Sequence, residues 1–256
     1  MIIYTDARNV GIMVWYNSGG DHNIVTEMGP RDKMDDQTVR RNEMATITGW
    51  GIKGVKVDFF HSGKQNIIQQ YLGIMRDAAN YHLLVDFHVC TIPRGWQRTF
   101  PNLMSAEAGR GAEWYKYQEE YPPGAPRRNT ILVFTRNALA SMDYTPVTFT
   151  NHNFPHITTY GHELALPVVF ESGLLYLADR ATGYESLPDA PKNFLRGVPT
   201  TWDDTRHIEG TPGDYVELAR RKGNDWYIGG IDGAGSQRNL SLDISFMTAS
   251  AQTATT

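Results

Sequence analysis

A carboxylate at the end of an apolar run is the first feature of this 256-residue chain that could do chemistry. Asp58 follows a Val-rich stretch and precedes two phenylalanines, so we expect the rim of a sheet to hold it rigidly. An aspartate positioned in this way can act as a nucleophile or as a base. Capping of the next loop, or pairing with Lys56 or Lys64, would account for the same residue equally well. The residues around Asp58 leave both interpretations open.

Two glutamates, Glu107 and Glu113, form a second group and stand six positions apart in a glycine-containing segment. A turn could bring both carboxylates to one point, where they would suit a hard cation with oxygen ligands or a general acid and base. The segment is no EF-hand, because the alternating Asp and Asn ligands are missing. Two separate surface glutamates would give the same pattern.

A third group lies in the loop 93–102, which carries two arginines and aromatic rings, among them Arg94 and Trp96. Guanidinium forks and flat apolar faces suit sugar hydroxyls or carboxylates, although the same residues could simply fasten a long loop to the scaffold. The histidines form no HExxH or other spaced zinc motif. The single cysteine, Cys90, excludes an internal disulfide framework and a Cys-rich zinc site.

The elements that must position these residues alternate along the chain. We predict strands over 10–16, 54–60, 82–88, 142–147 and 174–179, and helices over 36–47, 65–81, 131–139 and 162–170, with a long loop over 89–111. This order favours a parallel sheet with helical crossovers, and hence an α/β fold. Polar residues follow several of these strands, as they do in a (β/α)8 barrel. A doubly wound open sheet would produce the same alternation.

From about residue 185 the pattern changes to prolines, glycines and short strands, which we predict over 215–220 and 225–230. These strands are most simply antiparallel. We therefore predict a (β/α) barrel portion over residues 1–182 and a C-terminal β-rich domain over residues 183–256.

The composition excludes several classes of protein. Lys and Arg number 24 against 28 Asp and Glu, a formal net charge of −4, so the basic surplus of a general nucleic-acid binder is missing. No stretch approaches 18 uninterrupted apolar residues, which predicts no membrane span. Hydrophobic residues make up 41%, enough for a packed core.

Several long segments together resemble glycoside hydrolase family 97. They are residues 15–20, 51–60, 87–88, 90–96, 98–103, 142–146, 161–166 and 199–203, with Glu107 and Glu113 between them. The resemblance runs through essentially the whole chain. It implies a (β/α)8 catalytic barrel of the TIM type followed by an antiparallel β-domain, and calcium-assisted, exo-acting hydrolysis of α-glycosidic bonds.

The resemblance also implies roles for individual residues. Retaining members have an aspartate at the end of the Lys-Val-Asp-Phe-Phe strand, here Asp58, and lack the catalytic-base glutamate of inverting members, whose position is Val89. Asp58 would then be the nucleophile and Glu113 the acid/base. The predicted calcium ligands are Glu107 and Glu113. The residues predicted to contact the sugar are His88, Arg94, Trp15 and Trp96.

Retaining members of this type resemble α-galactosidases, so we expect an α-linked galactoside or oligosaccharide as substrate. A retaining α-glucosidase and an inert sugar-binding fragment are the alternatives. Family resemblance alone predicts a periplasmic location, and it gives no oligomeric state. Since members carry an N-terminal β-sandwich and earlier barrel strands, we also expect the chain to be a fragment.

Overall fold

A computed structural model of the chain describes residues 2–235, 238–239 and 241–247. The last part of the predicted C-terminal domain, residues 248–256, lies outside the described residues. Four parallel strands form the first sheet, in the order β1-β2-β3-β4. They are β1 (Met13–Asn17), β2 (Gly54–Asp58), β3 (Leu84–Phe87) and β4 (Leu103–Ala106).

Two amphipathic helices connect the first three strands and cover the sheet. Helix α2 (Gln37–Gly49) follows the short helix α1 (Ile2–Asp6) and begins where the carboxylate of Asp36 accepts a hydrogen bond from Val39 N. Helix α3 (Gln65–Asn80) buries one apolar stripe against the sheet. Tyr71 of this stripe stacks on Phe60, with ring centroids 3.9 Å apart. The apolar packing therefore fixes the segment that follows β2.

The register of the parallel strands brings polar residues to one edge. Asn17 lies beside Asp58, and Lys56 lies beside Asp86. Backbone hydrogen bonds continue these alignments past the strand ends, from His88 N to Val57 O and from Glu107 N to Phe87 O. Because the strands are parallel, Asp58, His88 and Glu107 all emerge at the same edge of the sheet.

The second half of the chain begins with helices and ends in a three-stranded antiparallel sheet. The helices are α4 (Tyr121–Phe134), α5 (Arg136–Leu139), α6 (Tyr160–Val169), α7 (Ala181–Glu185) and α8 (Asp189–Gly197). The strands, in the order β5-β6-β7, are β5 (Asp204–Thr211), β6 (Tyr215–Lys222) and β7 (Asp225–Asp232).

A second hydrophobic core joins α4 and α6 to this sheet. Leu166 of α6 is fully buried together with Val216 of β6. Arg220 of β6 adds two hydrogen bonds to the end of α6, from Nε to Val168 O and from Nη2 to Val169 O. These bonds satisfy carbonyls at the end of the helix. Among the described residues, none of the helices is long and apolar enough to cross a bilayer.

The sequence prediction of an α/β region followed by a β-rich module is confirmed, and the boundary at residues 182 and 183 stays a prediction. The strand predicted over 142–147 is wrong, because the segment forms a single bridge, between Met142 and Ala106. Thr145 and Val147 have left-handed backbone angles (φ of 56° and 67°), and Pro146 between them has no N–H to donate to a neighbouring strand.

Three other predicted elements differ from the structure. The segment 174–179 is not a strand, and Ala178 N donates instead to the loop carbonyl of Pro146. The helix predicted from residue 131 begins at Tyr121, because prolines in the first turn replace N–H groups that have no partner there. The predicted loop 89–111 contains β4, a strand of only four residues.

Candidate active site

A cleft lies beyond the carboxyl ends of the parallel strands. It has two lobes, of about 750 and 590 Å³, which share Trp15, Asp58, His88 and Glu113. Aromatic rings such as Phe59, Trp114 and Tyr117 line the larger lobe. Hydroxyl and cationic side chains such as Thr148, Lys116 and Arg180 line the smaller one. Lobes of this size can accept a sugar ring on either side of the shared residues.

Asp58 is the last residue of β2 and is 7% exposed. Its Oδ2 accepts a hydrogen bond from the indole Nε1 of Trp15 (3.1 Å), and its Oδ1 accepts one from Phe59 N (2.6 Å). Burial raises the pKa of the carboxyl, while His88 and these two hydrogen bonds oppose the rise. Both oxygens are thus oriented by donors on the protein.

Glu113 lies on a short 3₁₀ turn, Ala112–Lys116, that packs closely on the segment after the β-bridge. Ala112 N donates to Tyr144 O (2.9 Å), and a Cβ added at Gly111 would lie 2.6 Å from the same oxygen. The Glu113 side chain is 36% exposed and accepts hydrogen bonds from Tyr117 Oη and His88 Nε2, each at 3.1 Å. The bond to His88 is the main reason that the pKa of Glu113 lies below its usual value.

His88 connects the carboxylates around the cleft. Its Nδ1 lies 2.9 Å from Asp143 Oδ2, and its Nε2 lies 3.1 Å from Glu113 Oε2 and 3.6 Å from Glu107 Oε1. Burial lowers the pKa of this imidazole, but the hydrogen bonds with Asp143 and Glu113 outweigh that effect and raise the pKa to about 10. His88 is therefore a buried cation at neutral pH, with both ring nitrogens donating.

Glu107 follows β4 and is 7% exposed. Its Oε2 accepts a hydrogen bond from Val89 N (2.8 Å), and burial raises the pKa of its carboxyl. Val89 has a left-handed backbone (φ of 40°), and so do Phe59 and Ala108, at 64° and 44°. Each of these residues comes directly after a polar residue of the cleft, and such backbone strain concentrates at functional sites.

A buried ionic group lies below the cleft. Lys56 Nζ is 2.5 Å from Asp143 Oδ2 and 3.2 Å from Asp86 Oδ2. Burial and the nearby Asp143 raise the pKa of Asp86 well above its usual value. For Asp143 the hydrogen bonds from His88 and Lys56 outweigh burial, and its pKa is lowered. Lys56 therefore pairs with Asp143 and Asp86 rather than with Asp58, the partner considered from the sequence.

Two family models match the chain. The model described as Glycoside hydrolase 97 matches residues 1–109, and the model described as Glycosyl-hydrolase 97 C-terminal, oligomerisation, matches residues 201–256. Together they cover more than half of the chain, including Asp58, His88 and Glu107. The chain belongs to glycoside hydrolase family 97. The resemblance stated from the sequence motifs is therefore confirmed, and Glu113 lies between the two matched ranges.

Curated relatives and solved structures agree with family 97. A Streptomyces bingchenggensis protein named "Probable retaining alpha-galactosidase" is 38% identical over 90% of this chain and 33% of its own length. A Bacteroides thetaiotaomicron protein named "Retaining alpha-galactosidase" is 30% identical over 96% of this chain and 36% of its own length. The chain thus spans about a third of these curated relatives.

Two solved structures give the same result for the fold. One described as a beta-arabinopyranosidase is 34% identical, with a TM-score of 0.86 over 90% of this chain and 38% of that one. A family 97 enzyme from Pseudoalteromonas sp. strain K8 in complex with acarbose is 26% identical, with a TM-score of 0.76 over the same shares.

The structure brings together some of the site residues expected from the family 97 resemblance and not others. Trp15, Asp58 and Glu113 line both lobes. Arg94 is exposed and Trp96 packs on the core ring of Tyr71 (centroids 5.2 Å apart), and neither lines the cleft. The roles of these two residues in sugar contact, and those of Trp15 and His88, stay predictions.

The residues expected to hold calcium, Glu107 and Glu113, bring two carboxylates near one point, and calcium itself stays a prediction. Glu107 and Glu113 each present a carboxylate oxygen to the same atom, His88 Nε2, so the two groups point towards one place. Calcium takes six to eight oxygen ligands. The part of the chain that the structure describes has no cluster of three or more His, Cys, Asp or Glu arranged to hold a metal. These residues can therefore supply two carboxylates of a larger ligand set.

Proposed function

We propose that this chain carries the catalytic carboxylates of a retaining α-glycosidase, and that its substrate is an α-galactoside. The observation that carries the proposal is the placement of Asp58 and Glu113 in one cleft at the carboxyl edge of the parallel sheet. Two curated relatives named as retaining alpha-galactosidases support the choice of sugar.

In the proposed reaction Asp58 attacks the anomeric carbon while Glu113 protonates the glycosidic oxygen. The bond from the anomeric carbon to the leaving oxygen breaks as the bond to the aspartate oxygen forms. Water then attacks the same carbon and Glu113 takes a proton from that water, while the bond from the carbon to the Asp58 oxygen breaks and Asp58 leaves as a carboxylate. A retaining pair works at a carboxyl separation of ~5–5.5 Å, which leaves no room for a water between nucleophile and sugar.

The electrostatics of the cleft add one requirement to this mechanism. Glu113 has a lowered pKa and so holds no proton of its own at neutral pH, whereas His88 has a proton on Nε2 directed at Glu113. We infer that the pair shares the proton that reaches the leaving group, since the donor and acceptor are 3.1 Å apart. Asp58 must be ionised to attack, so its raised pKa predicts that the rate falls with pH below that pKa.

The proposal includes a metal and a complete barrel. Glu107 and Glu113 would ligate calcium, which when bound supplies positive charge that holds these carboxylates and the sugar in place. The four parallel strands would belong to a (β/α)8 barrel, followed by the antiparallel β-domain. Support for the barrel comes from the parallel order of the strands and from the position of the cleft at their carboxyl ends.

A β-arabinopyranosidase is the second candidate, favoured by the 34% identity to the solved structure of that description. A β-L-arabinopyranoside has the ring configuration of an α-galactoside but lacks the C6 hydroxymethyl group. The same two carboxylates would therefore serve either substrate, and contacts to C6 would decide between them.

The test compares 4-nitrophenyl α-galactoside, α-glucoside and β-L-arabinopyranoside, with calcium present, for the wild type and for Asp58→Ala. We expect the highest kcat/KM on the galactoside and its loss in the variant. Preference for the arabinopyranoside would support the second candidate, and preference for the glucoside would overturn both. Equal activity in Asp58→Ala would refute the assigned nucleophile. Binding of galactose by a wild type that hydrolyses none of the three would identify a sugar-binding chain instead.

A further inference from the structure

Two polar layers lie one above the other on the parallel strands. The lower layer consists of Lys56, Asp86 and Ser105, which are register neighbours on β2, β3 and β4. The upper layer lies two residues further along the chain and consists of Asp58, the last residue of β2, and of His88 and Glu107, which directly follow β3 and β4. The hydrogen bonds from His88 N to Val57 O and from Glu107 N to Phe87 O continue the alignment past the strand ends, so the upper layer emerges on the same face as the lower one.

Asp143 contacts both layers, although it lies in none of the strands β2, β3 and β4. Its backbone is fixed beside β4, where its N–H donates to Ala106 O (3.0 Å). One carboxylate oxygen, Oδ2, contacts both Lys56 Nζ of the lower layer and His88 Nδ1 of the upper layer. The residue is 2% exposed, so both contacts are shielded from bulk water.

The contact with His88 has a consequence at the other end of the ring. An imidazole is planar and rigid, so a bond that fixes Nδ1 also fixes the direction of Nε2. That nitrogen points at the carboxylate of Glu113, which is 36% exposed and lies on a short turn. Among the described residues, Glu113 would without His88 keep only the hydrogen bond from Tyr117 and the ion pair with Lys116, at 4.0 Å.

We propose that Asp143, held by Lys56, is a positioning residue that fixes the His88 ring and through it orients the carboxyl of Glu113 towards the leaving group. This inference rests on the proposed function of Glu113. A buried ion pair that served stability alone would not need the histidine, because Lys56 already has Asp86 as a second carboxylate. Because Asp143 Oδ2 contacts both Lys56 and His88, the ion pair of Lys56 and Asp143 also fixes the position of His88 in the cleft.

The first experiment uses the dependence of the rate on the leaving group. An alkyl α-galactoside needs its leaving oxygen protonated, whereas α-galactosyl fluoride releases its leaving group with much less help. We expect Asp143→Asn to lower kcat on the alkyl galactoside on the order of 10-fold to 100-fold more than on the fluoride, as a partial loss of general acid catalysis requires. Glu113→Gln should show the same pattern, with KM changing much less than kcat.

Asp77→Asn is the matched control, because Asp77 is also a fully buried aspartate in an ion pair, with Arg40, and does not line the cleft. A loss that came only from weaker packing would lower the rates on both substrates by the same factor in both variants. That result for Asp143→Asn would overturn the proposal, and so would unchanged kinetics.

A second experiment does not depend on turnover. The ring nitrogen signals of His88 are measured by NMR in four proteins: the wild type, Glu113→Gln, Asp143→Asn and the double variant. We expect Glu113→Gln to shift the Nε2 signal of His88 when Asp143 is present. In the Asp143→Asn background the same substitution should have little effect on that signal, because the ring is free to turn away from residue 113. An equal shift in both backgrounds would refute positioning by Asp143. If no substrate is hydrolysed, the proposed function fails, whereas this comparison still decides the role of Asp143.

Discussion

Raising the pH should destabilise this protein through a single buried side chain, His88. The folded protein holds the imidazole between Asp143 and Glu113 and raises its pKa from 6.5 to about 10. A group with a raised pKa in the folded state binds its proton more tightly there than in the unfolded chain. Its contribution to stability is complete below pH 6.5, falls steadily above that pH, and is gone above about pH 10.

The size of the effect follows from the two pKa values. They are about 3.5 pH units apart, and each unit corresponds to about 1.4 kcal/mol, so the full contribution is about 5 kcal/mol. Asp143 and Glu113 take part in the same interaction, so this figure belongs to the group of three and is an upper value for His88 alone. Half of the contribution should be lost by about pH 8.

The assay is urea denaturation of the calcium-free protein at several pH values from 6 to 10, followed by tryptophan fluorescence. The matched variant is His88→Gln, which keeps a polar side chain and cannot titrate. We expect the free energy of unfolding of the wild type to fall relative to the variant across this range. A difference between the two proteins that stays constant, or grows as the pH rises, would contradict the raised pKa of His88.

Three further predictions concern other parts of the molecule. Asp77→Ala leaves Arg40 buried without its partner and should lower the free energy of unfolding by about 3–5 kcal/mol in a urea titration, whereas a loss under 1 kcal/mol would contradict the buried pair. Gly111→Ala forces a Cβ to within 2.6 Å of a backbone oxygen and should reduce kcat roughly 100-fold, whereas Gly109→Ala meets only ordinary contacts at 3.7 Å and should resemble the wild type. Glu107→Gln should weaken calcium binding measured by titration calorimetry, and equal binding, or wild-type activity insensitive to EDTA, would argue against calcium.

Hydrophobic patterns predicted the elements that carry the first part of the site. The strand ending at Asp58 and the amphipathic helix α3 are visible in the sequence because their buried residues repeat with a regular period. Strand β4 was missed, since four residues inside a glycine- and proline-bearing segment have too few positions to show a period. The segment around Pro146 resembles a strand in composition, and its left-handed backbone cannot be seen in the sequence.

Part of the candidate site was likewise predicted from the sequence, and part of it was missed. Asp58 and Glu113 were predicted from motifs that resemble a family, and the structure places both in one cleft. The contact of Lys56 with Asp143 joins residues 87 positions apart, and no local pattern indicates it. Asp143 lies within the segment 142–147 that was predicted as a strand. Its partners depend on packing of the whole sheet.

The nucleophile is tested most directly by the product that Asp58→Ala forms from 4-nitrophenyl α-galactoside in the presence of azide. With the carboxylate removed, azide can enter the space on the β face of the sugar, while Glu113 still assists the leaving group. We predict that azide restores release of nitrophenol and that NMR identifies the product as β-galactosyl azide. Restored release with α-galactosyl azide as the product, or full activity without azide, would contradict the assignment of Asp58 as the nucleophile.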